Sequence, residues 1–252
     1  MRLENKVAII TGGGSGFGQG IAELFAAEGA AVVVADINGA AARDVADGIA
    51  ASGGRASAVE ADVTKRAGAA AMVASASDSF GGLDILVNNA GAAHRNKSML
   101  EVTEEEFDRI YDVNVKAIYL AALEAVPLFR KQGGGCIINT SSTAALRPRP
   151  GLTVYNGSKG AANVMTKSMA VELAPDKIRV NAICPVIGET GLLETFMGVP
   201  DTPENRKKFE ATIPLGRFST PADIAQAALY FAADEAAFIT GVCMEVDGGR
   251  CI

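Results

Sequence analysis

Short apolar runs recur along the chain, each followed by a longer stretch in which apolar residues return every three or four positions. Seven runs, KVAIIT (6–11), AVVVAD (31–36), ASAVEA (56–61), LDILVNN (83–89), GCIINTS (135–141), IRVNAIC (178–184) and CMEVDGG (243–249), are rich in Val and Ile and apolar at successive positions. That is the composition of strands covered on both faces in a parallel sheet, not the alternation of a strand with one wet face. Between them, 18–28, 39–52, 66–80, 103–130, 153–173 and 220–232 carry helical periodicity. The fourth opens TEEE, which places Thr103 and Glu106 at capping-box spacing. Regular alternation of strand and helix predicts right-handed crossovers and an α/β architecture, a doubly wound, seven-stranded parallel sheet with helices on both faces.

No linker or low-complexity tract interrupts the alternation, so one domain is expected over 1–252. The exception is 185–219, PVIGETGLLETFMGVPDTPENRKKFEATIPLGRFST, a long segment marked by proline and glycine. It follows the sixth strand, on the edge where open α/β sheets bind ligands, and is expected to be a substrate-lid insertion.

Composition narrows the classes. With 252 residues, 49% hydrophobic, the chain can bury a sizeable core. A net charge of -6 argues against nucleic-acid binding, which needs a basic surface. Cys136, Cys184, Cys243 and Cys251 form no CxxC pair and no metal-ligand grouping, which suits reduced thiols. The opening MRLENKVAIITGG enters an apolar strand within six residues without a secretory core, and no run reaches the ~18 apolar residues of a membrane span. A cytoplasmic protein without a membrane partner is expected.

Candidate chemistry falls at the carboxyl ends of the predicted strands. The first runs into TGGGSGFGQG, where Gly12, Gly16 and Gly18 lie between strand and helix, the setting in which backbone N–H groups cradle a pyrophosphate. The second ends in Asp36, followed by Ile37 and Asn38 rather than Arg or Lys. A carboxylate there accepts hydrogen bonds from an adenosine ribose and repels a 2′-phosphate, which points to NAD over NADP. Asp62 and Val63 end the third strand, and Asn89, Ala90 and Gly91 end the fourth. Ser142 lies 13 residues before Tyr155, which is followed by Lys159 one helical turn on. The one histidine, His94, and the lack of a G-x-S-x-G elbow argue against a serine hydrolase. Asn114 is a polar residue within an apolar helical pattern, on its own consistent with a helix–helix hydrogen bond.

Together these motifs resemble the short-chain dehydrogenase/reductase family in its single-domain form, a Rossmann fold. TGGGSGFG is similar to the family's TGxxxGxG loop, NNAG to its fourth-strand motif, YNGSK to its YxxxK signature and EVDGG to its last strand. The resemblance implies catalytic roles for Asn114, Ser142, Tyr155 and Lys159, with Asn114 helping to position a water that relays protons from the lysine. It implies cofactor contacts from the glycine loop with Ser15 and Phe17, from Asp36 and Ile37, from the third- and fourth-strand residues above, from Tyr155 and Lys159, and from Pro185 and Thr190. Two departures stand out: Val186 follows Pro185 where the family usually has glycine, and Ala145 stands where a glycine often follows the catalytic serine.

The implied reaction is NAD-dependent interconversion of a secondary alcohol and a ketone, Tyr155 exchanging the proton. Lys159 and the positive nicotinamide are expected to lower the tyrosine pKa, and Ser142 to hold the substrate oxygen. A 3-oxoacyl-thioester reductase is the enzymatic alternative, and a non-catalytic NAD-binding sensor or scaffold the other. His94, Arg95, Arg147 and Arg149 are placed near the site, where they would meet an anionic substrate or stay solvated. Leu192, Leu193, Phe196 and Met197 would give the lid an apolar face. By resemblance a homotetramer is expected, pairing 103–130, 153–173 and the last strand.

Overall fold

A computed structural model describes residues 1–252. Seven parallel strands, β1 (Val7–Thr11), β2 (Ala31–Asp36), β3 (Arg55–Glu60), β4 (Ile85–Asn88), β5 (Gly135–Thr140), β6 (Ile178–Pro185) and β7 (Cys243–Val246), form one sheet in the order β3-β2-β1-β4-β5-β6-β7. The chain winds outward from β1 to β3, then returns to lay β4 on the other side of β1. That reversal opens a crevice above the carboxyl ends of β1 and β4.

Nine helices accompany the sheet: α1 (Gly16–Ala27), α2 (Gly39–Ala51), α3 (Arg66–Phe80), α4 (Glu104–Tyr111), α5 (Ala117–Gln132), α6 (Thr153–Leu173), α7 (Leu193–Met197), α8 (Pro203–Glu210) and α9 (Pro221–Ala232). Strand side chains alternate between two cores. Ala8, Ile10, Val32, Val34 and Ile138 pack with α1, α2 and α9, whereas Val7, Ile9, Val33, Ile137 and Val180 pack with α3, α5 and α6. This double burial is why the strands read as unbroken apolar runs. At the edge, β3 is only partly buried and lies one residue earlier than its sequence pattern indicates.

The helix expected over 103–130 is divided. The capping box forms, with Thr103 Oγ1 accepting from Glu106 N–H at 3.2 Å and Glu106 Oε2 accepting from Thr103 N–H at 2.9 Å. A π turn at Asp112–Lys116 then separates α4 from α5. Asn114, at its centre, accepts from Ala92 N–H and donates to Ala92 C=O, both at 2.8 Å, and donates to Ser158 Oγ at 2.9 Å. The widened turn carries this side chain to the segment after β4, a tertiary bond that helical periodicity does not register.

The segment 185–219 holds α7, α8 and a small core of its own, made by Val186, Leu193, Met197, Ile213 and Phe218. Val186 is the first residue of that core. Its N–H donates to Val246 C=O at 3.3 Å, continuing the β6–β7 ladder, so no glycine is needed after Pro185. Ala145 closes a short 3₁₀ turn (Thr143–Ala145) and likewise does not require glycine's positive φ. No helix is long and apolar enough to cross a membrane, and all four cysteines are free thiols.

Candidate active site

A cleft of about 1060 Å³ runs along the carboxyl edge of the sheet. At its β1–β3 end the lining is largely backbone. Gly12 turns the chain at φ 62°, and a Cβ there would sit 3.0 Å from the Ala90 backbone. A Cβ on Gly18 would overlap the Gly12 carbonyl. Ser15 caps α1 in extended conformation without using its side chain as the cap. The first-turn N–H groups of α1, which have no intrahelical acceptor, therefore open on the cleft that Ser15, Gly16 and Phe17 line. Asp36 is held against this loop, accepting from Gly14 N–H at 3.0 Å and Asn38 N–H at 2.9 Å. Each carboxylate oxygen keeps a further lone pair for a ribose hydroxyl. The glycine cradle, the open helix terminus and the placed carboxylate fit a dinucleotide.

Ile37, Asp62, Val63, Ala90 and Gly91 continue the lining. The Asp62 carboxyl is held below its ordinary range, first by the Thr64 hydroxyl and then by the Thr64 N–H. Asn89 also lines the cleft, but its side chain braces the loop, donating to Thr11 C=O at 3.0 Å.

At the other end, β5 and α6 bring Ser142, Tyr155 and Lys159 to the same cleft, all three buried. Ser142 Oγ accepts from Ala144 N–H at 3.0 Å, which leaves its own proton to donate elsewhere. Lys159 Nζ donates to Thr140 C=O at 2.7 Å and lies 5.9 Å from the Tyr155 ring centroid. Burial pushes the Tyr155 phenol up to about 12, with the Ser142 hydroxyl acting in the opposite sense. Burial also pushes Lys159 down to about 8. Lys159 and a bound nicotinamide are expected to act together on Tyr155, and the protein alone supplies only the first of the two charges. Desolvation outweighs a charge that is directed at Thr140 rather than at the phenol.

Asn114 stands apart from this trio. It is 2% exposed and does not line the main cleft; its amide N–H groups donate to Ala92 C=O and Ser158 Oγ, and its Oδ1 accepts from Ala92 N–H. These bonds fix the wall behind Gly91 and leave Asn114 Oδ1 a second lone pair.

A short-chain dehydrogenase model, described as enoyl-(acyl carrier protein) reductase, matches residues 12–250. The chain is 51% identical over 252 residues to a 4-formylbenzenesulfonate dehydrogenase of Comamonas testosteroni, covering 100% of both chains. The chain belongs to the short-chain dehydrogenase/reductase family. Another member, a 2,5-dichloro-2,5-cyclohexadiene-1,4-diol dehydrogenase of Sphingobium indicum, is 40% identical, with 98% of this chain and 97% of that one covered. Among solved structures, a 3-ketoacyl-(acyl-carrier-protein) reductase from Brucella melitensis, complexed with NADH, superposes with a TM-score of 0.92 at 48% identity, over 99% of this chain and 100% of that one. The protein is accordingly an oxidoreductase that acts on CH–OH groups with a nicotinamide dinucleotide.

The remaining expected residues of this dehydrogenase/reductase divide sharply. Pro185 and Thr190 reach the cleft, where Thr190 Oγ1 accepts from Leu192 N–H at 3.3 Å. Leu192 and Phe196 line it, whereas Leu193 and Met197 turn into the core of the insertion. His94 and Arg95 are not part of the cleft. His94 is 2% exposed with Nδ1 against Arg95 C=O at 2.9 Å, and Arg95 donates to Gly198 C=O at 3.0 Å. Arg147 and Arg149 do line the cleft, joined by Arg250 from beyond β7. No motif marks Arg250; it arrives because the last strand lies beside β6. Ser158, the buried partner of Asn114, was also missed, since a serine inside YNGSK reads as filler between Tyr155 and Lys159.

Proposed function

We propose that the enzyme interconverts a secondary alcohol and a ketone with NAD as the dinucleotide. The observation that carries this reading is Asp36, fixed by two backbone N–H groups beside the glycine loop. A carboxylate there favours a free ribose diol, and a 2′-phosphate would meet its charge. The NADH in the Brucella structure supports the same choice. When bound, NAD would supply the hydride acceptor and, in its oxidised form, positive charge to the site. Tyr155 exchanges the proton of the substrate oxygen. At a pKa of about 12 the neutral phenol is ready to donate toward a ketone. In the oxidative direction it needs nearby positive charge to accept a proton, and Lys159 provides one fixed source. Ser142, its oxygen already accepting from Ala144 N–H, keeps its proton to donate to the substrate oxygen. Lys159 retains two donors beyond Thr140 for the nicotinamide ribose. Asn114 acts as a positioning residue through the π turn.

The segment 185–219 serves as the substrate cover, with Leu192 and Phe196 facing inward. Assembly as a tetramer through α5, α6 and β7 is the companion reading, supported by Tyr119, Leu123, Val164 and Val171, which remain exposed on those helices. A cytoplasmic location accords with it. The name of the Brucella relative favours a second reading, reduction of a 3-oxoacyl thioester.

Initial rates with NAD and NADP over secondary alcohols and acetoacetyl thioesters test the proposal. NAD-dependent alcohol oxidation is expected, and Tyr155→Phe should lower kcat by about 10³-fold while NAD affinity stays within about twofold. Preference for NADP, or full activity in the Phe variant, would sink the reading.

A further inference from the structure

Beyond Tyr155 the cleft ends in guanidinium groups. Arg147 and Arg149, from the loop between β5 and α6, and Arg250, from beyond β7, all line it. None of the three appears in an ion pair, although ten pairs with N···O within 4.0 Å form elsewhere in the chain. Glu105, Asp108 and Asp112 also line the cleft, and Asp112 pairs with Lys116 instead. In a protein of net charge -6, Arg147, Arg149 and Arg250 line the cleft, as Arg109 does from α4, with no carboxylate within 4.0 Å of any of them. Arg250 lies near enough to Arg149 for the two charges to repel, a cost that a bound anion relieves.

Arg149 is the inner member. It is half-buried, donates to Phe196 C=O at 3.2 Å, and lies 5.0 Å above the Phe209 ring. Burial, and then the charge of Arg250, hold its pKa below the usual arginine range. Arg147 donates to the Arg250 carbonyl, which ties the outer pair together. Phe196 connects Arg149 to the reacting end: its ring sits 5.0 Å from the Tyr155 ring, and its carbonyl is the group Arg149 holds. Leu152, Leu192, Phe196 and Phe209 make the space between apolar.

We infer that the substrate is an alcohol bearing a compact oxyanion, a carboxylate or sulfonate, with Arg149 as its principal ligand and Arg250 and Arg147 beside it. The inference rests on the alcohol–ketone reading above and names the substrate class for it. The same guanidiniums would otherwise meet the phosphates of a thioester carrier, and the test separates the two sources.

The wild-type enzyme with saturating NAD is assayed on 4-(1-hydroxyethyl)benzoate and on its methyl ester. The acid is expected to exceed the ester in kcat/KM by about 100-fold, mostly through KM. Arg149→Met should collapse that acid-to-ester ratio by a similar factor, Arg149→Lys should restore part of it, and Arg250→Met should reduce it by about tenfold. Calorimetric titration with benzoate and benzenesulfonate gives a readout independent of turnover: both should bind wild type and fail to bind Arg149→Met, while NAD affinity stays within about twofold. A ratio near one, or a ratio that Arg149→Met leaves unchanged, overturns the inference while leaving the alcohol–ketone reading intact. Arg149-dependent binding of benzoate without turnover of any alcohol sinks that reading and upholds the anion site. If acetoacetyl-CoA is reduced far better than acetoacetyl-N-acetylcysteamine, and Arg149 accounts for the difference, the carrier phosphates occupy the site and the compact-oxyanion assignment falls.

Discussion

The two ends of the cleft are built from different materials. The end above β1–β4 is backbone: a glycine loop, an uncapped helix terminus and one carboxylate fastened to N–H groups. The end above β5–β7 is side chain: a buried phenol and ammonium, a serine hydroxyl, arginines and the apolar face of an insertion. A backbone cradle admits one shape of ligand and tolerates no added atom. A side-chain pocket can be re-lined without disturbing the fold, which is how one scaffold serves many substrates. The sharpest way to break this contrast is Gly18→Ala. Its methyl would overlap the Gly12 carbonyl, and backbone cannot yield as a flexible side chain does. We expect NAD affinity to fall by at least about 100-fold in fluorescence titration, with a lower melting temperature, because the loop must open to admit the methyl. Near-normal NAD binding would mean that the cradle is more pliable than its contacts indicate.

The side-chain end answers to pH. Lys159 has a folded pKa of about 8 against 10.5 for the free group. Between those values the folded protein binds fewer protons than the unfolded chain, so stability rises with pH across that window. Below about 8 the buried ammonium carries its full cost, roughly 3 kcal/mol for a shift of this size. Tyr155 acts the other way, with a folded pKa of about 12 against 10.0, and weakens the fold only as pH rises above 10. Denaturant unfolding of wild type and Lys159→Met at pH 7 and pH 10 isolates the lysine. The stability difference should move toward wild type by about 2–3 kcal/mol on going to the higher pH. A difference that stays flat would show that Lys159 is already well solvated.

Legibility in the sequence followed the same division. The strands were readable because residues such as Ile9 and Ile10 enter opposite cores, which leaves an apolar run with no polar face. The glycine loop and Asp36 were readable because their demands are local: a positive φ, a close approach, a carboxylate at a strand end. Tertiary causes were not. The break after Tyr111 comes from bonds between Asn114, Ala92 and Ser158 that lie far apart in the chain. His94 and Arg95 are expected near the site, yet neither lines the cleft: His94 is buried and Arg95 donates to Gly198 C=O. Arg250 reaches it only because β7 lies beside β6. The spacing of Tyr155 and Lys159 placed them on one face, but burial, which moves both pKa values, is a property of the packed fold.

The smallest expected effect probes whether the two ends are separable at all. Val186 links β6 to the insertion: its N–H extends the β6–β7 ladder, and its side chain packs on Leu193, Met197, Ile213 and Phe218. Val186→Ala removes two methyl groups from a core of only five buried residues, a local cost of about 1–2 kcal/mol. Because that core is separate from the two that hold the sheet, the loss should loosen α7 and α8 rather than unfold the protein. Faster amide exchange is expected across 189–213, with substrate KM raised about two- to fivefold and NAD affinity unchanged. Pro185 and Thr190 are the points where this expectation can fail, since both belong to the insertion and line the same cleft as the glycine loop. If NAD affinity drops in step with substrate affinity, the insertion holds both ligands through those two residues, and the backbone end of the cleft extends further than the glycine loop.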